Sequence, residues 1–413
     1  MKRRDFIHKT AATASVFSIV PSHVLGFGTT APNDKIQLGF IGVGKQGRGL
    51  MTNFVNYDSA SVVAVSDVDV NKMSFFSETF QKALAKKNKP SQNLDEIAAY
   101  RELLERKDID AVVIASPDHW HAQMAVDAAK AGKDIYCEKP LSSSVAEGRA
   151  MVDSARKYNR VFQTGSMQRS WDRFRQGVNL IRNGYIGEIK EVKVAIGAPY
   201  KACDLPSQPI PETIDWNAWI GPAPYRGYHF DLACPIEDKR WGMWRDYTPF
   251  GGGMITDWGA HMFDIVQWAL DMDDTGPLHF TPPGGVAVEG LTYTYANGIT
   301  VTHTKWGRGN NEIQFIGTEG RLEISRGYLK TFPNTDLAKT PLKETDTNLV
   351  YNSPNHHEDW LDAIKNRTRP ICDVEVGHRT ATVCNVANIA YALQRPVEWN
   401  PQSEKFINDP GAN

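Results

Sequence analysis

The sequence predicts a two-domain α/β chain, an open parallel sheet of the doubly wound kind followed by an α+β domain with an open, mostly antiparallel sheet. Three observations carry this. Residues 35–165 alternate short apolar runs with helical patterns, the signature of parallel strands joined by helical crossovers. After Gly187 the texture changes, and residues 198–249 are irregular and rich in Pro, Trp and Tyr. Residues 285–325 then alternate polar and apolar side chains between turns, as a sheet with one solvated face does.

The elements follow in order. Lys35-Ile-Gln-Leu-Gly-Phe-Ile41 is a first strand, followed by Gly42-Val-Gly44-Lys-Gln46-Gly47 and a helix over 48–56. A second apolar run, 61–66, ends at Asp67, twenty residues beyond Gly47. Strand, G-x-G-x-x-G, helix, strand and acid form the dinucleotide-binding fingerprint of a Rossmann domain in its required context. The first glycine makes the tight turn, the second admits the pyrophosphate, and the third lets helix pack on strand. Asp67 accepts hydrogen bonds from the adenosine ribose and repels a 2′-phosphate, so NAD is expected rather than NADP, although Lys45 and Arg48 stand close enough in sequence to blunt that repulsion. Helical patterns are expected over 70–88, 94–107, 121–131 and 141–158, with strands over 111–115, 134–138 and 161–165. Beyond these come a strand over 188–197, a helix over 254–270 after Gly251-Gly-Gly253, and closing helices over 357–365 and 377–393. The expected division is an arm over 1–31, a Rossmann domain over 34–165, a substrate and oligomerisation domain over 166–400, and a tail over 401–413.

With 413 residues, a net charge of -2 and no dense basic stripe, nucleic acid is not an expected partner. No run approaches the roughly 20 apolar residues that span a bilayer. Arg3-Arg4-x-Phe6-Ile7 ahead of the mildly apolar residues 11–20 has the layout of a twin-arginine export signal, so a periplasmic location is expected. The first cysteine is Cys137, which leaves no N-terminal cysteine for lipid attachment. The five cysteines form no C-x-x-C pair, and neither a disulfide framework nor a structural zinc site is expected. His119-Trp-His121 and His356-His357-Glu358-Asp359 lack a third ligand at fixed spacing. They are read as helix-start residues, with no metal assigned.

Four segments together resemble a known family: the fingerprint, Ser116-Pro-Asp-His-Trp-His121, Glu138-Lys139-Pro140 at a strand end, and Asp257-Trp-Gly-Ala-His261 after a glycine-rich turn. That family is the Gfo/Idh/MocA oxidoreductases, named for glucose–fructose oxidoreductase, inositol dehydrogenase and a rhizopine-catabolism enzyme. The resemblance runs from about residue 35 to 400 and includes the closing stretch from Gly377-His-Arg-Thr-Ala to Leu393-Gln-Arg-Pro396. It implies that Gly42, Gly44, Gln46, Gly47, Asp67, Ser116, Pro117, His121, Glu138 and Lys139 border the dinucleotide. It also implies proton transfer by Lys139 and His261, with Asp257 orienting substrate hydroxyls or the imidazole. The chemistry agrees, because hydride leaves a carbinol carbon only if the hydroxyl proton leaves too. A lysine desolvated beside a cationic nicotinamide has its neutral form favoured.

Arg169, after a strand end near the same mouth, either contacts substrate or pairs with Glu138. Trp241 and Trp244, in a loop between Arg240 and Arg245, either stack on a pyranose face or fill the loop's own core. The expected activity is therefore oxidation of a secondary hydroxyl of a sugar or glycoside, at carbon 3 first, by a homodimer or homotetramer that keeps its NAD bound. Two alternatives stand beside it: a glycosidase or lyase that oxidises transiently and eliminates the substituent, and a ligand sensor without catalysis on the same fold. The tyrosine–histidine motif associated with the NAD-dependent glycosidases is replaced here by Asp257-Trp-Gly-Ala-His261.

Overall fold

A computed structural model describes residues 34–413, apart from Lys239 and Arg308. The expected arm and export signal lie outside the described residues.

The first apolar runs form β1 (Ile36–Ile41), β2 (Ala60–Ser66), β3 (Asp95–Ile97), β4 (Ala111–Ile114), β5 (Asp134–Cys137) and β6 (Phe162–Thr164). They pair in parallel in the order β3-β2-β1-β4-β5-β6. The order reverses between β1 and β4, and such a switch point opens a crevice at the strands' C-terminal ends. The helical pattern expected within residues 94–107 forms over Tyr100–Glu105, and strand β3 precedes it unforeseen. The strand's residues are largely exposed, so what defines it is backbone pairing with Ala64–Ser66, which side-chain periodicity does not report.

The second sheet has nine strands. Around a central β7 (Ile189–Ala195) lie β10 (His279–Thr281), β11 (Thr292–Thr294), β12 (Thr300–His303), β13 (Glu312–Gly317), β14 (Arg321–Ser325), β15 (Leu329–Phe332), β16 (Val397–Asn400) and β17 (Lys405–Phe406). Only the β7–β12 pairing is parallel. Helices α6 (Asp172–Arg182), α9 (Gly259–Ala269) and α11 (Val374–Leu393) supply apolar side chains to this domain's core, where Phe263, Ile265 and Val383 meet Val192, Phe315 and Leu322. A two-residue ribbon, β8 (Lys201–Ala202) with β9 (Tyr247–Thr248), ties together the irregular segment between them.

Two expected boundaries are corrected. Residues 401–413 do not hang free: β17 pairs with Trp399 and Asn400, and Phe406 is buried. Helix α10 (His356–Asn366), placed by chain order in the second domain, belongs to the first domain's core. Its Trp360, Leu361 and Ile364 pack with Phe40, Phe54 and Tyr136, and the Trp360 ring meets Phe54 edge-on at 5.7 Å. The helix's apolar stripe must be covered, and the free face is on the parallel sheet.

Candidate active site

The fingerprint loop is built as its glycines require. Gly42 has φ +83°, and a Cβ there would stand 2.6 Å from the Ser116 amide nitrogen, so only glycine makes this turn. A Cβ on Gly47 would stand 2.3 Å from the Gly42 carbonyl oxygen, which keeps α1 (Lys45–Phe54) tight against the strand. At Gly44 the opposite holds. A side chain there would meet nothing within 4 Å, and no side chain caps the helix that follows. Open space above uncapped N–H groups is a cradle for a phosphate.

Asp67 stands at the end of β2 on the wall of the same groove. Its Oδ2 accepts the Val43 N–H at 2.9 Å and its Oδ1 the Asp69 N–H at 3.0 Å. Burial raises its pKa, while Lys72 and those two amides act against the rise. Arg48 and Lys72 line the groove beside it. The opposite wall comes from the irregular segment, through Trp219, Gly221, residues 232–236 and Trp241 to Arg245, so that the groove encloses about 370 Å³. Backbone hydrogen bonds from Val70 to Thr213 (3.0 Å) and from Asp215 to Val68 (2.9 Å) hold that wall in place. The Trp120 indole N–H adds a bond to the Trp219 carbonyl at 2.9 Å.

The second group of residues meets at the end of β5. Gln46 donates to Glu138 Oε1 at 2.7 Å, joining the fingerprint loop to the Glu-Lys-Pro turn. Lys139 Nζ donates to Asp257 Oδ1 at 2.7 Å and to the Asp257 carbonyl at 3.0 Å. Arg245 Nε lies 3.5 Å from the same carboxylate oxygen. Burial alone would raise the Asp257 pKa, but Lys139 and Arg245 outweigh it and hold the carboxyl below its ordinary range, hence ionised. Thus Lys139, read as a lysine made neutral by desolvation, is instead ion-paired.

Asp257 and His261 do not share one unbroken helix. The chain forms α8 (Gly253–Asp257) and α9 with Trp258 between them, and the Trp258 ring meets His261 edge-on at 5.5 Å. His261 is buried, and its Nδ1 is sealed from solvent without a hydrogen-bond partner. Burial, with Lys139 and Arg326 nearby, drives its pKa well below the ordinary 6.5 and keeps the imidazole neutral. His121 is a positioning residue inside α4 (Asp118–Lys130). Its Nδ1 stands 2.8 Å from the Pro140 carbonyl and its Nε2 3.0 Å from that of Ser116, which fastens the lysine turn to the groove. Burial lowers its pKa to about 4.

The sequence matches two descriptions of one family: "Oxidoreductase family, NAD-binding Rossmann fold" over residues 36–166 and "Oxidoreductase family, C-terminal alpha/beta domain" over residues 199–413. The chain belongs to the Gfo/Idh/MocA family. Its first domain is therefore an NAD-binding one, and the groove fits that cofactor in its open glycine cradle and its acidic strand end. A glycosyl hydrolase family 109 protein of Shewanella pealeana is 33% identical over 158 residues, which are 38% of this chain and 34% of that protein. An alpha-N-acetylgalactosaminidase of Shewanella oneidensis is 31% identical over 186 residues, 43% of this chain and 39% of the relative. The match thus spans little more than a third of those relatives. Among solved structures, aldose-aldose oxidoreductase from Caulobacter crescentus shares the fold at a TM-score of 0.59 and 16% identity, over 88% of this chain and 99% of the other.

Within this Gfo/Idh/MocA framework three expected substrate residues fall elsewhere. Arg169 is buried and saturated. It meets Asp264 through Nε at 2.9 Å and Nη2 at 2.8 Å, and Asp273 through two further bonds of 2.7 Å. It touches neither Glu138 nor the cleft. Trp244 is buried in the irregular segment's own core with Trp216, Trp219 and Phe250. Trp241 is half-exposed, with Lys45 4.6 Å from its ring, and lines the dinucleotide groove. The tryptophan beside His261 is Trp258, read as core, and Trp171, which the sequence reading passed over, meets Arg326 at 5.2 Å. Three further residues were missed in the sequence: Arg245, Gln168 and Arg326. Gln168 Nε2 donates to the His261 carbonyl at 3.4 Å, and Arg326 Nε donates to Gln168 Oε1 at 2.8 Å. His356 and His357, weighed as metal ligands, are buried at the start of α10, and His356 Nε2 meets the Thr164 carbonyl at 3.1 Å. No group of metal-ligating side chains gathers among the described residues. No described helix is long and apolar enough to cross a membrane.

Proposed function

We propose that this chain is an exported, NAD-dependent oxidoreductase that removes hydride from a secondary hydroxyl of a sugar or glycoside, at carbon 3. The observation that carries the reading is the neutral His261 beside the Lys139–Asp257 ion pair, which Arg245 joins to the dinucleotide groove. When bound, NAD supplies the hydride acceptor. The substrate hydroxyl acidifies as hydride departs, so a weakly basic imidazole suffices to take its proton. With Nδ1 sealed, that proton arrives at Nε2. The Lys139 ammonium, held by Asp257, donates a hydrogen bond to the same substrate oxygen and steadies its negative charge. The sugar class rests on the two carbohydrate-active relatives.

Those relatives also favour a second reading, a glycosidase that oxidises carbon 3, eliminates the substituent and re-reduces the ring. An exported protein meets almost no free NAD, so both readings require the cofactor to stay bound. The test uses protein purified from the exported fraction, dialysed extensively and given nitrophenyl glycosides without added NAD. The expected result is retained dinucleotide and a ketone product, with a second carbonyl substrate sustaining turnover. Release of nitrophenol would favour the glycosidase, and an empty protein that works only with added NAD would refute retention of the cofactor.

Cofactor choice is tested at Asp67. Asp67→Ser removes the charge that opposes a 2′-phosphate and leaves Arg48 and Lys72 lining the groove. The affinity ratio of NADP to NAD is expected to rise by about tenfold or more, the equivalent of about 1.4 kcal/mol. An unchanged ratio in dinucleotide titrations would remove Asp67 as the discriminating residue.

A further inference from the structure

We propose that the substrate of this site carries a carboxylate, and that Arg326 is the residue that reads it. The inference rests on the oxidoreductase reading above and deepens it. Arg326 lies in the turn between β14 and β15, outside every motif singled out in the sequence, and the fold carries it close to His261. Its guanidinium lies over two tryptophan rings, 4.5 Å from the centre of Trp258 and 5.2 Å from that of Trp171. Nε is occupied by Gln168 at 2.8 Å, and the other end of Gln168 bonds the His261 backbone. Trp258 is also the residue whose ring packs against the His261 imidazole. One glutamine and one tryptophan thus connect the guanidinium to the proton acceptor.

What this clamp leaves over is the informative part. Among the described residues neither Nη of Arg326 has a hydrogen-bond partner, and no carboxylate lies within ion-pair distance. The nearby Asp257 is already engaged by Lys139 at 2.7 Å and Arg245 at 3.5 Å. Yet Arg326 is half-buried, and burial lowers its pKa. The same chain shows how it treats an arginine whose task is structural, since Arg169 is met by two carboxylates. A half-desolvated guanidinium left without a counter-charge costs free energy unless a ligand supplies one. Lys139 and Arg245 both meet the ionised Asp257, and Arg326 lies close enough to feel the same charge.

The geometry selects the form of the anion. With Nε bonded to Gln168, the guanidinium has its paired Nη groups left to offer, and two coplanar N–H donors fit the two oxygens of a carboxylate. Arg326 does not line the dinucleotide groove, so the cofactor's phosphates are not its partner. A sugar acid, oxidised at a hydroxyl near His261 with its carboxylate on Arg326, satisfies both observations.

The test is calorimetric titration of the purified holoenzyme with methyl glucuronide and methyl galacturonide, each against its neutral methyl ester, at low salt. At least one acid is expected to bind about tenfold tighter than its ester, or more. Arg326→Gln should bring that ratio close to one, and Arg326→Lys should keep part of it. Equal binding of acid and ester by the wild type, or a preference that survives in Arg326→Gln, overturns the inference. If Arg326→Gln does not fold, the wild-type ratio and the lysine variant decide. An acid preference lost in the variant but without hydride transfer would leave this inference standing and remove the oxidoreductase reading. Oxidation of neutral glycosides with no acid preference would do the reverse.

Discussion

His261→Ala and Lys139→Ala each lower turnover by about 10²-fold or more, the loss expected when a positioned proton acceptor or a donor to the developing oxyanion is removed. Dinucleotide affinity changes little in either variant, because neither side chain lines the groove wall that encloses the cofactor. The two variants differ in what rescues them. In Lys139→Ala the Asp257 carboxylate loses its nearest cation, and Arg245, 3.5 Å away, remains as its neighbour. Pairing this change with Asp257→Asn removes the stranded charge and is expected to restore thermal stability without restoring rate. In His261→Ala no charge is stranded, since the imidazole is neutral, so the defect is one of rate alone. Single-turnover hydride transfer, followed by dinucleotide absorbance, separates chemistry from binding. Near-normal transfer in either variant would take that residue out of the mechanism.

Arg169→Ala destabilises the fold by about 3–5 kcal/mol, as removal of one partner from a buried ion pair does. Asp264 is fully buried and accepts from Arg169 and from the Thr380 hydroxyl at 3.0 Å. Without the guanidinium, that carboxyl and Asp273 face each other unpaired across the start of the second domain. Burial already pushes the Asp264 carboxyl up against the pull of Arg169, so the variant responds by taking up a proton there. The triple change Arg169→Met with Asp264→Asn and Asp273→Asn recovers part of the loss. Denaturant midpoints of the three proteins check this, and an Arg169→Ala midpoint equal to that of the wild type would refute it.

The first domain was legible because its information is local. A glycine loop, the strand before it and the acid after it lie within one βαβ unit, and each glycine's role follows from steric limits a few residues apart. The Glu138-Lys139-Pro140 turn and the Asp257–His261 pair drew notice through the family resemblance, as short motifs with fixed spacing. The break at Trp258 was not visible, since helical periodicity continues across it. Nor were the partners of Arg169, which lie 95 and 104 residues further along the chain.

The sequence by itself determined the dinucleotide fold and its cofactor cradle, because these depend on backbone sterics and short-range spacing. Tertiary structure alone decided which charges meet. It spent Arg169 on two buried carboxylates, tied Lys139 to Asp257, and returned α10 to the first domain's core. It also set Arg326 over Trp171 and Trp258. A charged side chain's function depends on the partners and the burial that the fold assigns it, and both arise from contacts between segments far apart in the chain.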